Sequence, residues 1–136
     1  MIPSLAILQR RKHLALSICV ILWVFAFIVS HVPADRLPKT HVGDKYLHFV
    51  GFFGLAIALL LTLAGYNVPR LRRVVVAICI TAGYAAFDEA TQALVNRHAA
   101  FSDWLADVCG ALLAVIVLEV CFSLLGKLRR GSAPNI

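Results

Sequence analysis

The chain has 136 residues, which is enough for one domain of ordinary size but not for two. Hydrophobic residues make up 61% of the chain, charged residues only 15%, and the mean hydropathy is +0.87. These values exclude a disordered chain, a secreted disulfide-stapled domain and an ordinary cytosolic domain, because each of those carries more polar surface. The net charge of +6 comes from short basic clusters beside apolar runs, which is typical of a protein whose partner is the lipid bilayer and not nucleic acid.

The first apolar run covers about residues 14–32 and follows a basic cluster at residues 10–12. A run of about 19 residues at 1.5 Å each is long enough to cross a bilayer. A cleaved signal peptide has a shorter apolar stretch and a small-residue cleavage site, and this run shows neither clearly. The sequence therefore predicts a retained first transmembrane helix that ends at Pro33.

The second and third spans are predicted over residues 46–65 and 72–93, on either side of a short turn. The third apolar run alone, residues 74–87, has only about 14 uncharged residues and is short for a span. It reaches full length if the helix continues through Asp88 and Glu89. Two adjacent acids in a membrane are costly unless they face protein or water.

A fourth span over residues 104–126 completes the set of helices. Four spans with short connections predict an all-α, up-down-up-down four-helix bundle, formed as a single domain by residues 1–136. When alternate connections are summed, nine Lys and Arg residues lie on the side of the two termini and four on the other side. Because basic residues concentrate on the cytoplasmic side, both termini are expected in the cytoplasm.

Two features of the fourth span have structural explanations. Ser102 is placed to cap the helix, and Asp103 lies in its first turn, where the helix dipole stabilises an acid. Glu119, nearer the other end, is expected to extend toward Lys127 or Arg130.

Polar residues cluster at the predicted outer ends of spans two, three and four. Residues four apart lie on one face of a helix, so Asp44 and His48 share a face, as do Asp88 and Gln92, and Asp103 and Asp107. Three helices thus present a polar stripe at the same membrane depth. The candidate pocket consists of Lys45, His48, Asp88, Glu89, Gln92, Arg97, Asp103 and Asp107.

Small residues beside this stripe indicate where helices pack closely. Ala106, Gly110 and Ala114 form a row on the fourth span, and Gly51 and Gly54 lie on the second. Such rows allow helix backbones to approach each other in lipid. The polar stripe is therefore predicted to point into the bundle.

One histidine and several acids around an outward-facing pocket permit two kinds of chemistry. They could hold a divalent cation, with His48, Glu89, Asp103 and Asp107 as candidate ligands. They could also form a general acid–base pair. Because HExxH, GxSxG and P-loop patterns are absent from the sequence, it assigns neither a metal nor a catalytic residue.

Two segments resemble the signatures of VanZ-like membrane proteins. Residues 44–49, Asp-Lys-Tyr-Leu-His-Phe, are similar to the Asp-Lys-x-x-His-Phe pattern of that family. Residues 88–110 follow its second pattern, which runs Asp-Glu-x-x-Gln, then Arg, then Asp-x-x-x-Asn-x-x-Gly. The match covers about residues 44–114 and departs from the pattern at Asp107, where the family usually has Asn.

The resemblance implies a small multi-pass protein of the cell envelope, in the cytoplasmic (inner) membrane of a bacterium. The family takes its name from a member associated with resistance to the glycopeptide antibiotic teicoplanin, so a link to such resistance is an expectation here. The resemblance supplies no established reaction, substrate or cofactor, and the sequence predicts no oligomeric state.

Two functions stay open. In the first, the pocket recognises an anionic envelope component, such as a polyprenyl phosphate or a phospholipid headgroup, or a glycopeptide, with Lys45 and Arg97 contacting phosphate. Hydrolysis or transfer on a lipid phosphate is an alternative within this function. In the second, the cluster pins helix ends in a structural or partner subunit of an envelope assembly, with no ligand chemistry. The acids outnumber Lys45 and Arg97, which calls for a cation, protonated carboxyl groups or open water.

Overall fold

The computed structural model describes residues 7, 9–33, 36, 43–95, 97 and 99–131. Its four helices are α1 (Lys12–Ser30), α2 (Asp44–Gly65), α3 (Arg70–Gln92) and α4 (Phe101–Gly131), and α3 leads into a single 3₁₀ turn at Ala93–Val95. Each helix is long and apolar enough to cross a membrane, and the described ranges contain no strand. The predicted all-α bundle of four membrane-spanning helices is confirmed.

The fourth helix begins earlier than the sequence pattern predicted. The Ala100 carbonyl oxygen already accepts the backbone N–H groups of Asp103 and Trp104, at 2.8 and 3.3 Å, so the helix starts at Phe101. Ser102 therefore lies inside the first turn, where its hydroxyl donates to Asp103 at 3.3 Å, and its predicted role as the cap is wrong. Asp103 does lie in the first turn, as predicted.

The third helix continues through its acidic end, as a full span requires. It extends from Arg70 to Gln92, and Asp88, Glu89 and Gln92 are all buried. Burial against the neighbouring helices keeps these polar groups out of the lipid, which would otherwise make the span costly.

The most extensive contact in the bundle joins α2 and α4, and Gly110 permits it. A Cβ atom at Gly110 would collide with the carbonyl oxygen of Phe49 on α2, so only glycine fits at this spacing. Ala56, Ala111 and Ala114 form a buried cluster in the same seam. Close packing through the small-residue row of α4 is therefore confirmed.

Gly51 and Gly54 of α2 do not take part in such packing. A Cβ atom at Gly51 or Gly54 would meet no atom within 4 Å, so the predicted close packing at these positions is wrong. Both residues line an open cavity instead, because no neighbouring helix fills the space beside them.

The first helix lies at the periphery of the bundle. Cys19 is its one buried residue, so most of its apolar side chains are free to face lipid. Two hydrogen bonds attach it to α2: the Trp23 indole N–H donates to the Leu55 carbonyl oxygen at 3.4 Å, and the Thr62 hydroxyl donates to the Ala15 carbonyl oxygen at 3.2 Å. The core is formed mainly by α2, α3 and α4.

A buried ion pair joins α3 and α4 at the end of the bundle where α3 begins. Arg73 donates to Glu119 Oε1 at 2.6 Å, and Arg70 approaches Glu119 Oε2 at 3.1 Å. The prediction that Glu119 extends toward Lys127 or Arg130 is wrong, because the start of α3 packs beside this turn of α4. Lys127 is exposed, and the Arg130 side chain lies outside the described residues.

Candidate functional site

Three predicted residues meet where α2 and α4 begin and α3 ends, which we call the polar end of the bundle. His48 Nδ1 lies 3.0 Å from Asp107 Oδ1 and 3.8 Å from Glu89 Oε1. The three side chains come from three different helices, and we call them the His48 cluster. Their common depth in the membrane, together with the close approach at Gly110, brings them together.

The His48 cluster is buried, and two of its oxygen atoms lack partners. The side chains of His48 and Glu89 are each 9% exposed, and that of Asp107 is 0% exposed. Glu89 Oε2 accepts the backbone N–H of Ala100 at 2.8 Å, whereas Glu89 Oε1 and Asp107 Oδ2 accept no hydrogen bond from a described residue. Buried polar atoms in folded proteins nearly always have a partner, so these two oxygens mark a place where a partner can bind.

Two further acids extend the polar end toward the surface. Asp103 is buried and Asp44 is exposed, and each offers an oxygen that groups with a His48 nitrogen within 4.8 Å. His48 therefore belongs to two overlapping groups of acids. The described residues around this imidazole carry more negative than positive charge.

Asp88 has a different environment from the His48 cluster. Its Oδ1 accepts the Ser30 hydroxyl at 2.7 Å, and its Oδ2 accepts the Gln92 amide at 2.8 Å. His31 joins the same network, with its Nε2 2.9 Å from the Thr91 hydroxyl oxygen. Ser30 and His31 thus tether the end of α1 to Asp88 and Thr91 of α3, and Gln92 occupies the second oxygen of Asp88 from within α3.

Ser30, His31 and Thr91 also belong to the polar end, although no sequence motif singled them out. Ser30 and His31 form a polar pair at the end of a strongly apolar span, and Thr91 follows Asp88 by three residues. The spacing from Asp88 points to Thr91, since residues three apart are neighbours on a helix surface, but it does not point to Ser30 or His31, which lie at the end of α1.

Arg97 bridges α1 and α2 at the polar end. Its Nη1 donates to the Ser30 carbonyl oxygen at 2.9 Å, and its Nη2 forms an ion pair with Asp44 at 3.5 Å. Lys45 was predicted beside it, but this side chain is exposed and forms no ion pair with a described residue. The structure therefore brings Arg97, and not Lys45, to the polar side chains.

A cavity of about 460 Å³ opens beside these residues, between α1 and α2. Its wall is mostly apolar and includes the two open glycines of α2. The polar residues that line it are Ser30, Asp44, His48, Tyr84, Asp88 and Arg97. The cavity is therefore amphipathic, with a long apolar wall and a polar end.

A second cavity, of about 350 Å³, reaches the His48 cluster between α3 and the start of α4. Glu89, Ala100 and Trp104 are among its lining residues. Because His48 lines the first cavity and Glu89 lines the second, the cluster is accessible from both.

The geometry permits the same two kinds of chemistry that the sequence left open. One ligand atom each from His48, Glu89 and Asp107 lies within 4.8 Å of the others, which suits a single cation. An imidazole hydrogen-bonded to a carboxylate is also the arrangement of an oriented general base.

Comparison with known proteins agrees with the two signature segments. The family model described as VanZ/LLP1 matches residues 6–122, which includes all of α1, α2 and α3 and most of α4. No curated protein and no solved structure gives a significant match. With a family match over most of its length and four membrane-spanning helices, the chain is a multi-pass membrane protein that belongs to the VanZ/LLP1 family.

Proposed function

We propose that the protein binds a membrane amphiphile with an anionic headgroup, such as a polyprenyl phosphate or a phospholipid, in the cavity between α1 and α2. The observation that carries this proposal is the form of the cavity, whose apolar wall ends in polar residues. A prenyl or acyl chain would lie along the wall, and the headgroup would lie at the polar end. Ligand sites commonly combine an apolar lining with a few polar groups that orient the ligand.

The wall supports this proposal by its composition and position. Leu22, Phe25 and Val29 of α1 and Leu47 and Leu55 of α2 line it. Because α1 is peripheral and largely exposed, the cavity lies next to the region that lipid chains occupy. A lipid could therefore enter from the bilayer without crossing water.

Arg97 supports an anionic headgroup. A guanidinium carries five N–H donors, and the contacts with Ser30 and Asp44 use two of them. The remaining donors suit a phosphate, which Arg binds in a planar, bidentate manner. Lys45 adds an exposed positive charge at the start of α2, where a headgroup at the membrane surface would lie.

Filling the cavity tests the proposal. A leucine introduced at Gly51 has open space for its Cβ atom and would project into the cavity, whereas Gly83 has equally open space but does not line it. We expect native mass spectrometry in non-ionic detergent to show that Gly51→Leu weakens binding of phosphatidylglycerol by about tenfold or more. Gly83→Leu should bind like the wild type. Equal binding by both variants and the wild type would contradict the proposal.

The headgroup is tested with a second pair of variants. Arg97→Gln should remove the preference for phosphatidylglycerol over zwitterionic phosphatidylcholine, because it removes the phosphate-binding cation that lines the cavity. Arg72→Gln is the control, since Arg72 is exposed at the opposite end of the bundle. Titration with a polyprenyl phosphate in parallel shows whether the cavity prefers a polyprenyl phosphate or a phospholipid.

We further propose that the bundle lies in the cytoplasmic membrane of a bacterium with both termini inside, so that the polar end faces outward. This orientation would expose the cavity to lipid-linked envelope components and to a glycopeptide. Resistance to teicoplanin is therefore the first phenotype to measure. Expression in a susceptible strain should raise the inhibitory concentration, and His48→Ala and Glu89→Gln should abolish that gain at an unchanged protein level.

The alternative, a structural or partner subunit, is favoured by one observation. The Asp88 network satisfies all its carboxylate oxygens within the protein and needs no ligand. If the His48 cluster were structural too, His48→Ala and Glu89→Gln would lower the melting temperature in step with the phenotype. Under the ligand proposal Glu89→Gln should lose the phenotype while largely retaining stability, because it keeps the side-chain shape and an interhelical hydrogen bond in a membrane contributes only about 0.6 kcal/mol on average.

A further inference from the structure

We infer that His48, Glu89 and Asp107 bind one divalent transition-metal cation of the Zn²⁺ or Mn²⁺ type at the polar end. This site requires no lipid in the cavity, so the inference stands or falls separately from the proposed function. Four observations carry it: the spacing of the ligand atoms, the unpartnered oxygens, the charge around them and the access from two cavities.

The spacing of the three side chains fits one coordination sphere. Two ligands bound to the same ion at about 2.1 Å lie about 3.0 Å apart at right angles, about 3.4 Å apart in a tetrahedron and at most about 4.2 Å apart. His48 Nδ1 lies 3.0 Å from Asp107 Oδ1 and 3.8 Å from Glu89 Oε1. All three ligand atoms lie within 4.8 Å of one another, so a small side-chain movement closes the set around one ion.

Two buried oxygens point to a ligand independently of this spacing. Glu89 is 7% exposed and Asp107 is 0% exposed, yet Glu89 Oε1 and Asp107 Oδ2 accept no hydrogen bond from a described residue. Glu89 Oε1 is also the oxygen that faces His48 Nδ1. A buried carboxylate oxygen without a partner is costly, and a cation placed between these groups would remove that cost for both.

The charge around the His48 cluster is not balanced by the described basic residues. Arg97 is engaged by Asp44 and by the Ser30 carbonyl oxygen, and Lys45 is exposed and forms no ion pair with a described residue. At the other end of the bundle, by contrast, the buried Glu119 is met by two arginines. A divalent cation supplies the positive charge that two buried carboxylates require.

The donor set selects among cations. Imidazole nitrogen suits Zn²⁺ and other first-row transition metals, whereas Mg²⁺ and Ca²⁺ prefer oxygen ligands alone. The backbone N–H of Ala100 holds the other oxygen of Glu89, which is the kind of second contact that orients a metal-ligating carboxylate. Three protein ligands also leave a coordination position open to a water molecule or to a ligand atom in either cavity.

Metal titration of the purified protein tests the inference. The protein is purified in non-ionic detergent and a phosphate-free buffer, and bound metal is removed with EDTA. It is then titrated with Zn²⁺ and Mn²⁺ by calorimetry, with Mg²⁺ as the comparison. We expect one ion per chain and a preference for Zn²⁺ or Mn²⁺ over Mg²⁺. Glu89→Gln and Asp107→Asn preserve side-chain shape, and each should weaken binding by about tenfold or more. Melting temperature and size-exclusion profile establish that each variant is folded.

Asp44→Asn is the matched control. Asp44 belongs to the other group of acids around His48, which it forms with Asp103, and is not a ligand in the proposed site. This variant should bind Zn²⁺ like the wild type. Binding of Co²⁺ gives a second readout, since its visible absorption reports nitrogen and oxygen ligation, and His48→Ala should change that spectrum. The inference is overturned if the wild type binds no better than the Glu89→Gln, Asp107→Asn double variant. It is also overturned if Asp44→Asn loses the metal while Glu89→Gln keeps it.

Discussion

Gly110 sets the distance between α2 and α4, and replacing it with alanine tests how the bundle is held together. The added methyl carbon would collide with the carbonyl oxygen of Phe49. A backbone oxygen cannot rotate away as a flexible side chain can. The two helices must therefore separate by roughly 1 Å to restore ordinary van der Waals contact.

The size of the effect follows from two opposing contributions. Alanine favours the helix over glycine by about 1 kcal/mol. Against this, a gap of about 1 Å forfeits up to about half of the dispersion attraction across a contact. That loss falls on the buried seam formed by Ala56, Ala111 and Ala114. Overpacking typically costs about 1–3 kcal/mol, and a clash with backbone belongs at the upper end. We expect Gly110→Ala to lower the free energy of unfolding by about 2 kcal/mol.

Unfolding in mixed micelles with increasing SDS, followed by circular dichroism, measures this change. Gly126→Ala is the matched control, because Gly126 lies on the same helix and a Cβ atom there meets nothing within 4 Å. This control should be neutral or more stable than the wild type by up to about 1 kcal/mol. Gly110→Ala should also weaken Zn²⁺ binding, since Asp107 lies one turn away and reaches across the same seam to His48.

Two results would refute this reasoning. One is a Gly110→Ala variant that unfolds at the same SDS fraction as the wild type. The other is equal destabilisation by Gly126→Ala, which would make the effect a general property of the helix and not of the contact with Phe49.

Three other predictions concern the topology of the bundle and its two polar networks. In a cysteine-free background, a cysteine at position 99 should react with an impermeant thiol reagent in intact cells and one at position 72 should not, and the reverse pattern would place both termini outside. Arg73→Ala leaves the Glu119 carboxylate buried without its main partner and should destabilise the protein by about 3–5 kcal/mol, whereas Arg73→Met combined with Glu119→Leu should recover most of that loss in thermal melts. Asp88→Asn removes a doubly hydrogen-bonded carboxylate and should lower the unfolding free energy by about 1–3 kcal/mol with unchanged Zn²⁺ affinity. Loss of metal with retained stability would show that Asp88 belongs to the metal site.

The four spans could be predicted from the sequence because the length of an apolar run is a local property. The continuation of α3 past Asp88 followed from the same arithmetic, since a shorter helix would not cross the bilayer. The start of α4 could not be placed as well, because Ala100 has no capping side chain and the first turn forms through its carbonyl oxygen. Ser102 is a favourable capping residue but lies inside the first turn of α4, so such a residue does not by itself locate a helix end.

The site was predictable in part, for a comparable reason. A common depth predicts that the polar residues of the three helix ends converge, and the structure groups His48 with Glu89 and Asp107 and, separately, with Asp44 and Asp103. The attachment of α1 was not predictable, because its strongly apolar sequence does not identify the face that packs. Without that face, neither the tether from Ser30 to Asp88 nor the bridge made by Arg97 can be read from the sequence.

The sequence also does not show which glycines lie at a helix contact, because it does not identify the packed face of each helix. Gly51 and Gly110 look alike as small residues in a span, yet one lines a cavity and the other touches a backbone. The difference depends on which surface of each helix meets a neighbour, and this is a property of the assembled bundle.

The ion pair between Arg73 and Glu119 has a consequence for how this scaffold can diversify. It closes one end of the bundle with complete pairing, and the α2–α4 seam closes the middle, so neither depends on the residues at the opposite end. Outside the Asp88 network, side chains there can be exchanged with little effect on assembly, while the space beside them stays available. Under the proposed function, a membrane protein organised in this way could change its ligand by single substitutions, because most of its cohesion lies away from the cavity's polar end.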